Sequence, residues 1–525
     1  MQTLDADIVI LGSGAAGGTL AATLSELTGA RILLIERGGH YGREFFNQLE
    51  WDMSQALYAE RGTRSTVDGA IPVRGGECVG GGTTVNVALS FNPIERIWRG
   101  WQGRGLEGFS FDAAASDYGI DHLNVPRCLA EVRGRTNVHF PADSEVNRNN
   151  ALFAKGCAAL GIRASRFELN MRGCIGCGFC SSGCAYDAKR GTLVTFIPDA
   201  IARGVRLVHH AYAERVEYES RGASLVATGV VVTVRPTQPG SRPNSLEPGS
   251  YRIRAKLVIV SAGAIETPAL LLRSKHPDPY ERLGRGLVLH TSLPFIGRAP
   301  FEVAGHQGVE GTMYSDHFAE SDGFFFECLF GHPLYGAAVL PGFARENFEL
   351  MLSFRRLFGF GAMLVDESAD DNRVEWDGMV GKPRIVYRLT ASDAVRLRKA
   401  ARIGMEVIFA AGAEEAWIAS EEPLGPLPTA HFRDASEAKY AELLRFTPHR
   451  TTVTSAHAQA TTKMGTDPRR STLNSRGETH AVRNLVVCDS SAFPSSCGAN
   501  PMISIMTMAR YQGRRIAGEA ARYGL

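Results

Sequence analysis

Two stretches of this chain carry residue types at spacings that chemistry uses. Cys174, Cys177, Cys180 and Cys184 stand as C-x2-C-x2-C-x3-C, the spacing of a ferredoxin cluster run except that Ala185 replaces the usual following proline. Such a run can gather sulfurs around one centre. It is compatible with an iron–sulfur cluster, with a structural zinc ion, or with free thiols in a tight, Gly-rich loop. The second stretch is Gly12-Ser13-Gly14-Ala15-Ala16-Gly17, a G-x-G-x-x-G directly after the apolar run Ile8-Val9-Ile10-Leu11. Gly12 allows a tight turn, Gly14 lets a pyrophosphate approach the backbone, and Gly17 lets a helix pack close on the strand. The helix opening there aims its unpaired N–H groups and positive dipole end at the phosphates. A second apolar strand, Arg31 to Ile35, ends in Glu36, 24 residues after Gly12, where a carboxylate can accept hydrogen bonds from a ribose. Together these predict an adenine dinucleotide and leave NAD and FAD both open.

The elements that must position these groups are those of a doubly wound α/β fold. Buried parallel-type strands are expected at Asp7–Leu11, Arg31–Ile35 and Lys256–Val260, with another at Asn484–Asp489. Further strands are expected at Val205–His209, Arg215–Tyr218 and Leu225–Val234, and Pro236 to Ser250 reads as an exposed hairpin connection. Helices are expected at Ser144–Leu160, around Val194–Ala202, after Gly263, at Ala391–Ala411 closing at Gly412, and at Ile503–Tyr523. Val73 to Asn86 holds a glycine-rich run, Gly80-Gly81-Gly82, whose entropic cost points to a close backbone approach to a ligand. From about Thr291 to Arg445 aromatics are dense, which suits either an apolar cavity or an ordinary core.

Composition bounds the function classes. A chain of 525 residues exceeds a single ordinary core. Its net charge of +2 argues against nucleic acid as the main partner. No apolar run reaches the roughly 18 to 20 residues that span a bilayer, and the first strand begins too early to leave room for a signal peptide. A cytoplasmic protein is expected, in which ten cysteines point to chemistry or metal rather than a disulfide framework.

A third segment joins the others late in the chain: Ser455-Ala456-His457-Ala458-Gln459-Ala460-Thr461-Thr462-Lys463-Met464-Gly465, followed 43 residues after His457 by Asn500-Pro501. With the opening fold, the Gly80–Asn86 loop and the Gly263–Ser274 segment, it resembles the glucose–methanol–choline (GMC) family of FAD-dependent oxidoreductases over essentially the whole chain. The resemblance implies a Rossmann-like FAD-binding domain and a substrate domain built on an antiparallel sheet with helices. It implies oxidation of an alcohol, with His457, of the H-x(3)-T-x-x-M-G segment, at the flavin and Asn500 as its partner. A neutral imidazole suits the base that takes the hydroxyl proton, and an amide N–H can stabilise the developing alkoxide. Gly12, Gly14, Ala15, Ala16, Gly17, Glu36 and Arg37 map to the ADP half of the cofactor site. Gly81, Gly82, Thr83 and Asn86 map near the pyrophosphate and isoalloxazine, and Val216 to the adenine. Ala262, Asp489, Ser490, Pro501 and Met502 complete the set.

Members with covalent FAD carry a histidine where Val85 stands, so non-covalent FAD is expected. Lys275 follows Ser274 where the family has glycine, a departure touching the local loop. The cysteine run with Gly183–Lys189, and Arg384–Leu389 before the Ala391–Ala411 helix, look closest to the long-chain alcohol oxidase and dehydrogenase branch, which implies a bulky apolar alcohol. An iron–sulfur cluster on Cys174, Cys177, Cys180 and Cys184 would favour a dehydrogenase passing electrons to a redox carrier over an oxidase using oxygen. The expected organisation is an FAD-binding domain in three parts, 1–105, 192–290 and 448–525, an intervening segment at 106–191 and a substrate domain at 291–447. An NAD(P)-linked flavoprotein reductase is the alternative, but Gly284-Arg285-Gly286 lacks the buried strand a second nucleotide motif needs. A substrate-free electron-transfer flavoprotein would leave His457 and Asn500 without a role.

Overall fold

The apolar run at residues 8–11 is the middle of an eight-stranded sheet in the computed structural model, which describes residues 1–102 and 125–525. The expected boundary at 105/106 lies outside the described residues. Strand β1 (Gln2–Leu11) is flanked on both sides by parallel partners, β2 (Ile32–Ile35) and the strand Gly249–Val260. This explains why Ile8, Val9 and Ile10 are fully buried and why the run shows no polar alternation. Arg206–Val208 extends the sheet beyond β2. Gly249–Val260 pairs in parallel with Leu485–Val487 and antiparallel with Ser224–Val234, which in turn pairs with Ala211–Arg221. Strands from the start, middle and end of the sequence therefore share one sheet. Helix α1 (Ala15–Leu27) and the closing helix Met502–Gly518 pack against each other beside it.

A second sheet has seven strands, all paired antiparallel: His431–Phe432, Glu415–Ile418, Ser292–Arg298, Leu357–Leu364, Phe324–Glu327, Met313–Ser315 and Ser165–Arg166. Helix Ala391–Ala411 covers it, opened by a reciprocal Thr390/Asp393 capping box and closed by Gly412 at φ 107°. The period-two alternation of a strand divides the aromatic stretch. Phe324, Phe326, Phe358 and Phe360 enter the core under the helices, while Glu327, Gly359, Gly361 and Met363 line a cavity on the sheet's other face.

Most element boundaries follow the sequence expectations, with three informative differences. The helix expected from Ser144 begins at Arg148, because the Asn147 side chain caps it by accepting the Asn150 N–H at 2.9 Å. Arg215–Tyr218 is part of a longer bulged strand, Ala211–Arg221. The closing helix stops at Gly518, and Ala520–Tyr523 forms a separate short turn. No helix among the described residues is long and apolar enough to cross a membrane.

Candidate active site

A cavity of about 760 Å³ opens between the two sheets, with walls that come from both. Gly12, Gly14, Ala15, Ala16, Glu36, Arg37, Gly81, Gly82, Thr83, Asn86, Ala262, Asp489 and Ser490 line one part. His457, Asn500, Pro501 and Met502 line another, with the inner face of the antiparallel sheet. Two residues mapped to the cofactor are not among the lining residues. Gly17 is buried behind the turn, where a Cβ would come within 1.8 Å of the Gly12 carbonyl. Val216 gives its N–H to the Ser274 hydroxyl at 2.9 Å, and the strand meets the cavity earlier, through Ala211, Tyr212 and Ala213. A bulge between Ala213 and Arg215 separates the two stretches.

The nucleotide-facing part is built from backbone. Gly81 takes φ 51°, and a Cβ there would lie 2.8 Å from the Gly14 Cα, so the two glycine loops approach this closely only because Gly81 carries no side chain. Glu36 organises the first of them. One carboxylate oxygen accepts the Ser13 N–H at 3.0 Å and the Ser13 hydroxyl at 2.6 Å, and the other accepts the Gly38 N–H at 2.9 Å. Ser13 Oγ in turn accepts the Gly80 N–H at 3.1 Å, tying the second loop to the first. Three helices start at this wall, at Ala15, Gly263 and Met502, and none has a side-chain cap. The positive dipole ends at Ala15 and Met502 fit an anionic ligand such as a pyrophosphate, while at Gly263 the first N–H is taken by a carboxylate of this chain. Asp489 holds the join, accepting from Gly263 N–H, the Thr267 hydroxyl and Ser491 N–H at 2.6 to 2.9 Å. Farther along, Arg37 pairs with Glu77 at 2.6 Å and with Glu266 at 2.9 Å. Burial alone would raise the Glu266 carboxyl, but the Arg37 and Arg64 guanidiniums outweigh it and hold the proton affinity down.

The other part is a cluster of neutral polar groups. His457 sits on a loop tied at several points. Its N–H reaches Ser455 Oγ at 3.4 Å, Ser455 donates to the Leu289 carbonyl at 2.5 Å, and Gln459 Nε2 donates to the His457 carbonyl at 3.1 Å. Thr461, Met464 and Gly465 are structural members of the same segment: Thr461 donates to the Ala264 carbonyl at 2.7 Å, and Met464 N–H to Ala492 O at 3.0 Å. The His290 ring stands edge-on to His457, 5.7 Å away, and its Nε2 is 2.6 Å from Ser496 Oγ. His290 takes φ 48°, a conformation held by Asp366, whose carboxylate accepts the Leu289 and His290 N–H groups and the Tyr387 hydroxyl. Burial pushes His457 down to about 4 and His290 well below the usual range, so both imidazoles are neutral near pH 7.

Asn500 is buried on the same wall with its Oδ1 unpartnered, as is Asn86 Oδ1, while Asn86 Nδ2 meets the Met502 sulfur at 2.9 Å. Acceptors left bare at a cavity wall are what a site awaiting a hydrogen-bonding ligand presents. Sequence reasoning missed His290, Glu310 and Glu327, all on this cavity wall. For Glu327 the available signal was an acid closing an otherwise aromatic strand, Phe324-Phe325-Phe326-Glu327. His290 and Glu310 carried none.

The cysteine run gives the expected cluster no support. Cys174, Cys177, Cys180 and Cys184 do line one small space, but its volume is only about 20 Å³ and Met171, Ile175, Phe179 and Val309 share it. As the side chains stand, that is room for about one water molecule. Among the described residues, no three His, Cys, Asp or Glu side chains are grouped to hold a metal ion. The loop acts as a brace instead. Buried Lys189 donates to the carbonyls of Thr84, Asn86 and Cys180 at 2.5 to 2.8 Å, and Gly308 N–H reaches Gly176 O at 3.0 Å. The flavin-side loop and the substrate sheet are thereby tied through one turn.

Comparison with known proteins agrees with this architecture. The two parts of the GMC oxidoreductase family model match residues 54–292 and 368–509. An uncharacterised GMC-type oxidoreductase of Mycobacterium tuberculosis is 30% identical over 96% of this chain and 74% of its own length. A long-chain-alcohol oxidase of Arabidopsis thaliana is 27% identical, over 96% of this chain and 66% of its own. Among solved structures, formate oxidase superposes with a TM-score of 0.71 at 14% identity over all of both chains. Pyridoxine 4-oxidase from Mesorbium loti gives 0.65 at 17%, over 97% of this chain and 98% of the other. With both halves of the family model matched and a 30% identical relative along nearly its whole length, this chain belongs to the GMC oxidoreductases, FAD-dependent enzymes that act on CH–OH donors.

Proposed function

We propose that the chain oxidises a bulky apolar alcohol to the aldehyde or ketone, with His457 as the base and Asn500 as the donor to the alcohol oxygen. The carrying observation is the convergence of a neutral, buried imidazole and a partly unpartnered amide on one cavity whose remaining walls include Ile296, Leu329, Phe330, Val339, Leu340 and Met363. An apolar wall of that kind binds a hydrocarbon body, and two polar groups at its end orient a single hydroxyl. The likeness to plant long-chain-alcohol oxidases supports the same substrate class.

The residues around Gly12–Gly14, Gly81–Asn86, Ala262 and Asp489 would hold FAD without a covalent bond, since Val85 offers no nucleophile. Bound there, FAD supplies the acceptor for the hydride. His457 takes the hydroxyl proton as the C–H bond breaks, and an Asn500 N–H stabilises the alkoxide character on oxygen. Electrons then leave to oxygen or to a redox carrier. Anaerobic bleaching of the yellow holoprotein by a panel of straight-chain, terpenoid and aromatic alcohols, set beside NADH, tests the reading. Bleaching by long or bulky alcohols and not by NADH is expected; bleaching by NADH alone would overturn it. Acid precipitation should release all of the yellow chromophore into solution.

A further inference from the structure

One half-buried guanidinium on the cavity wall has nothing to pair with. Arg37 pairs with Glu77 and Glu266, Arg64 with Glu266, and Arg273 gives N–H groups to the Ala213 and Glu214 carbonyls. Arg74 lines the same cavity, and among the described residues its side chain makes no ion pair and no hydrogen bond. Its guanidinium stands over the Tyr335 ring at 4.2 Å and the Tyr58 ring at 5.6 Å. Aromatic rings stabilise the charge but accept none of its N–H donors in the fork direction. Resting on the alcohol-oxidising reading above, we propose that Arg74 is a binding site for a carboxylate on the substrate, so that the preferred alcohols are hydroxy acids with an apolar body. The hydroxyl end would meet His457 and Asn500, and the anionic end Arg74.

The guanidinium lies on the substrate side of the cavity, not the phosphate side. Tyr335 belongs to helix Pro333–Val339, in the connection between the paired strands Phe324–Glu327 and Leu357–Leu364 of the antiparallel sheet. The helix starts suited to phosphate are elsewhere, at Ala15 and Met502. Arg74 is also tied to the reacting end, since its N–H donates at 2.8 Å to the carbonyl of Ser455, two residues before His457. The acids on this side are otherwise engaged. Glu50 accepts the Leu334 and Tyr335 N–H groups at 2.8 and 3.1 Å. Glu310 is 7% exposed, lines the cavity and has its Oε2 unpartnered. Burial raises its carboxyl to about 8 against the opposing charge of Lys189, so near pH 7 it holds a proton to donate and is not a second anion. A planar fork of N–H donors matches a carboxylate two bonds at a time. Ile296, Leu329, Phe330, Val339 and Leu340 suit the hydrocarbon between its ends.

The test titrates anaerobic flavin reduction in the holoprotein with straight-chain ω-hydroxy acids of graded length, their methyl esters and the matched alkanols. At the best length the acids should half-saturate at concentrations about 30-fold below the esters, the margin that a charge-assisted pair gives over a neutral one. Arg74→Met keeps an unbranched stem beside Tyr335 and removes the charge. It should hold FAD and bring the ratio of acid to ester affinity close to one, and Arg74→Lys should restore part of the margin. Acids no better than esters in the parent, or a margin that survives in Arg74→Met, overturns the proposal. So does loss of FAD from a folded Arg74→Met, which would assign Arg74 to the cofactor. A second readout needs neither turnover nor a variant. Alkanoates lacking the hydroxyl should perturb the flavin absorption of the parent at concentrations where their methyl esters do not, and equal perturbation counts against the site. If no hydroxyl compound bleaches the flavin, yet alkanoates perturb its spectrum in the parent and not in Arg74→Met, the alcohol-oxidising reading has failed while the carboxylate site stands.

Discussion

A base whose conjugate acid forms only near pH 4 is always ready to accept a proton but pulls on it weakly. In the proposed role of base, His457 would depend on placement, secured by Ser455, Gln459 and the edge of His290, and on Asn500 lowering the cost of the alkoxide. Replacing His457 by Gln keeps a hydrogen-bonding side chain of similar reach and removes the base. The variant should retain yellow FAD and slow anaerobic bleaching by about 10²-fold or more; unchanged bleaching would remove His457 from the role. Glu36 is a different kind of residue, since its two oxygens already hold Ser13 and Gly38. Glu36→Ala should yield protein that loses FAD on desalting, and tight retention would contradict its place in the cofactor site. Glu36, His457 and Asn500 were legible because each sits in a local motif. Glu327 and His290 were not, because what makes them matter is a wall supplied by strands and loops far away in sequence.

The glycine turn, the buried strands and the helix Ala391–Ala411 with its Gly412 stop were readable because apolar period and capping chemistry are written locally. Where the strand Ala211–Arg221 meets the cavity was not readable, because a bulge between Ala213 and Arg215 sets it and nothing in the residue types announces it. The cysteine spacing specifies which sulfurs could meet, while the packing of Met171, Phe179 and Val309 decides how much room is left between them. Lys275 is the opposite case, a departure from the family pattern that the backbone does not follow. It takes φ 54° just after helix Gly263–Arg273, in the left-handed region natural to glycine. Lys275→Gly should stabilise the protein by about 1 kcal/mol, read as a rise in chemical-denaturation midpoint with no change in its slope; a lowered midpoint would contradict the strain.

On the scale of the molecule, the cofactor wall is assembled from residues near both ends and the middle of the sequence, and three separate helices begin at it. A ligand spanning those pieces should couple them. FAD at about a hundred times its dissociation constant is expected to add about 2.7 kcal/mol to stability. Limited proteolysis of FAD-stripped protein should therefore cut within residues 448–525 much faster than the holoprotein is cut there, and equal rates would argue against the coupling. The discontinuity also bears on how the chain is made. The end of strand Gly249–Val260, Val258 to Val260, has Leu485–Val487 as its neighbour, and that partner is synthesised about 225 residues later. At ~5–20 residues per second, a ribosome leaves this sheet edge unpaired for roughly ten to forty-five seconds. A nascent chain of this kind is exposed to edge-to-edge association during translation, so its yield in a cell should depend on elongation speed and on chaperones that shield that edge until the last strand emerges.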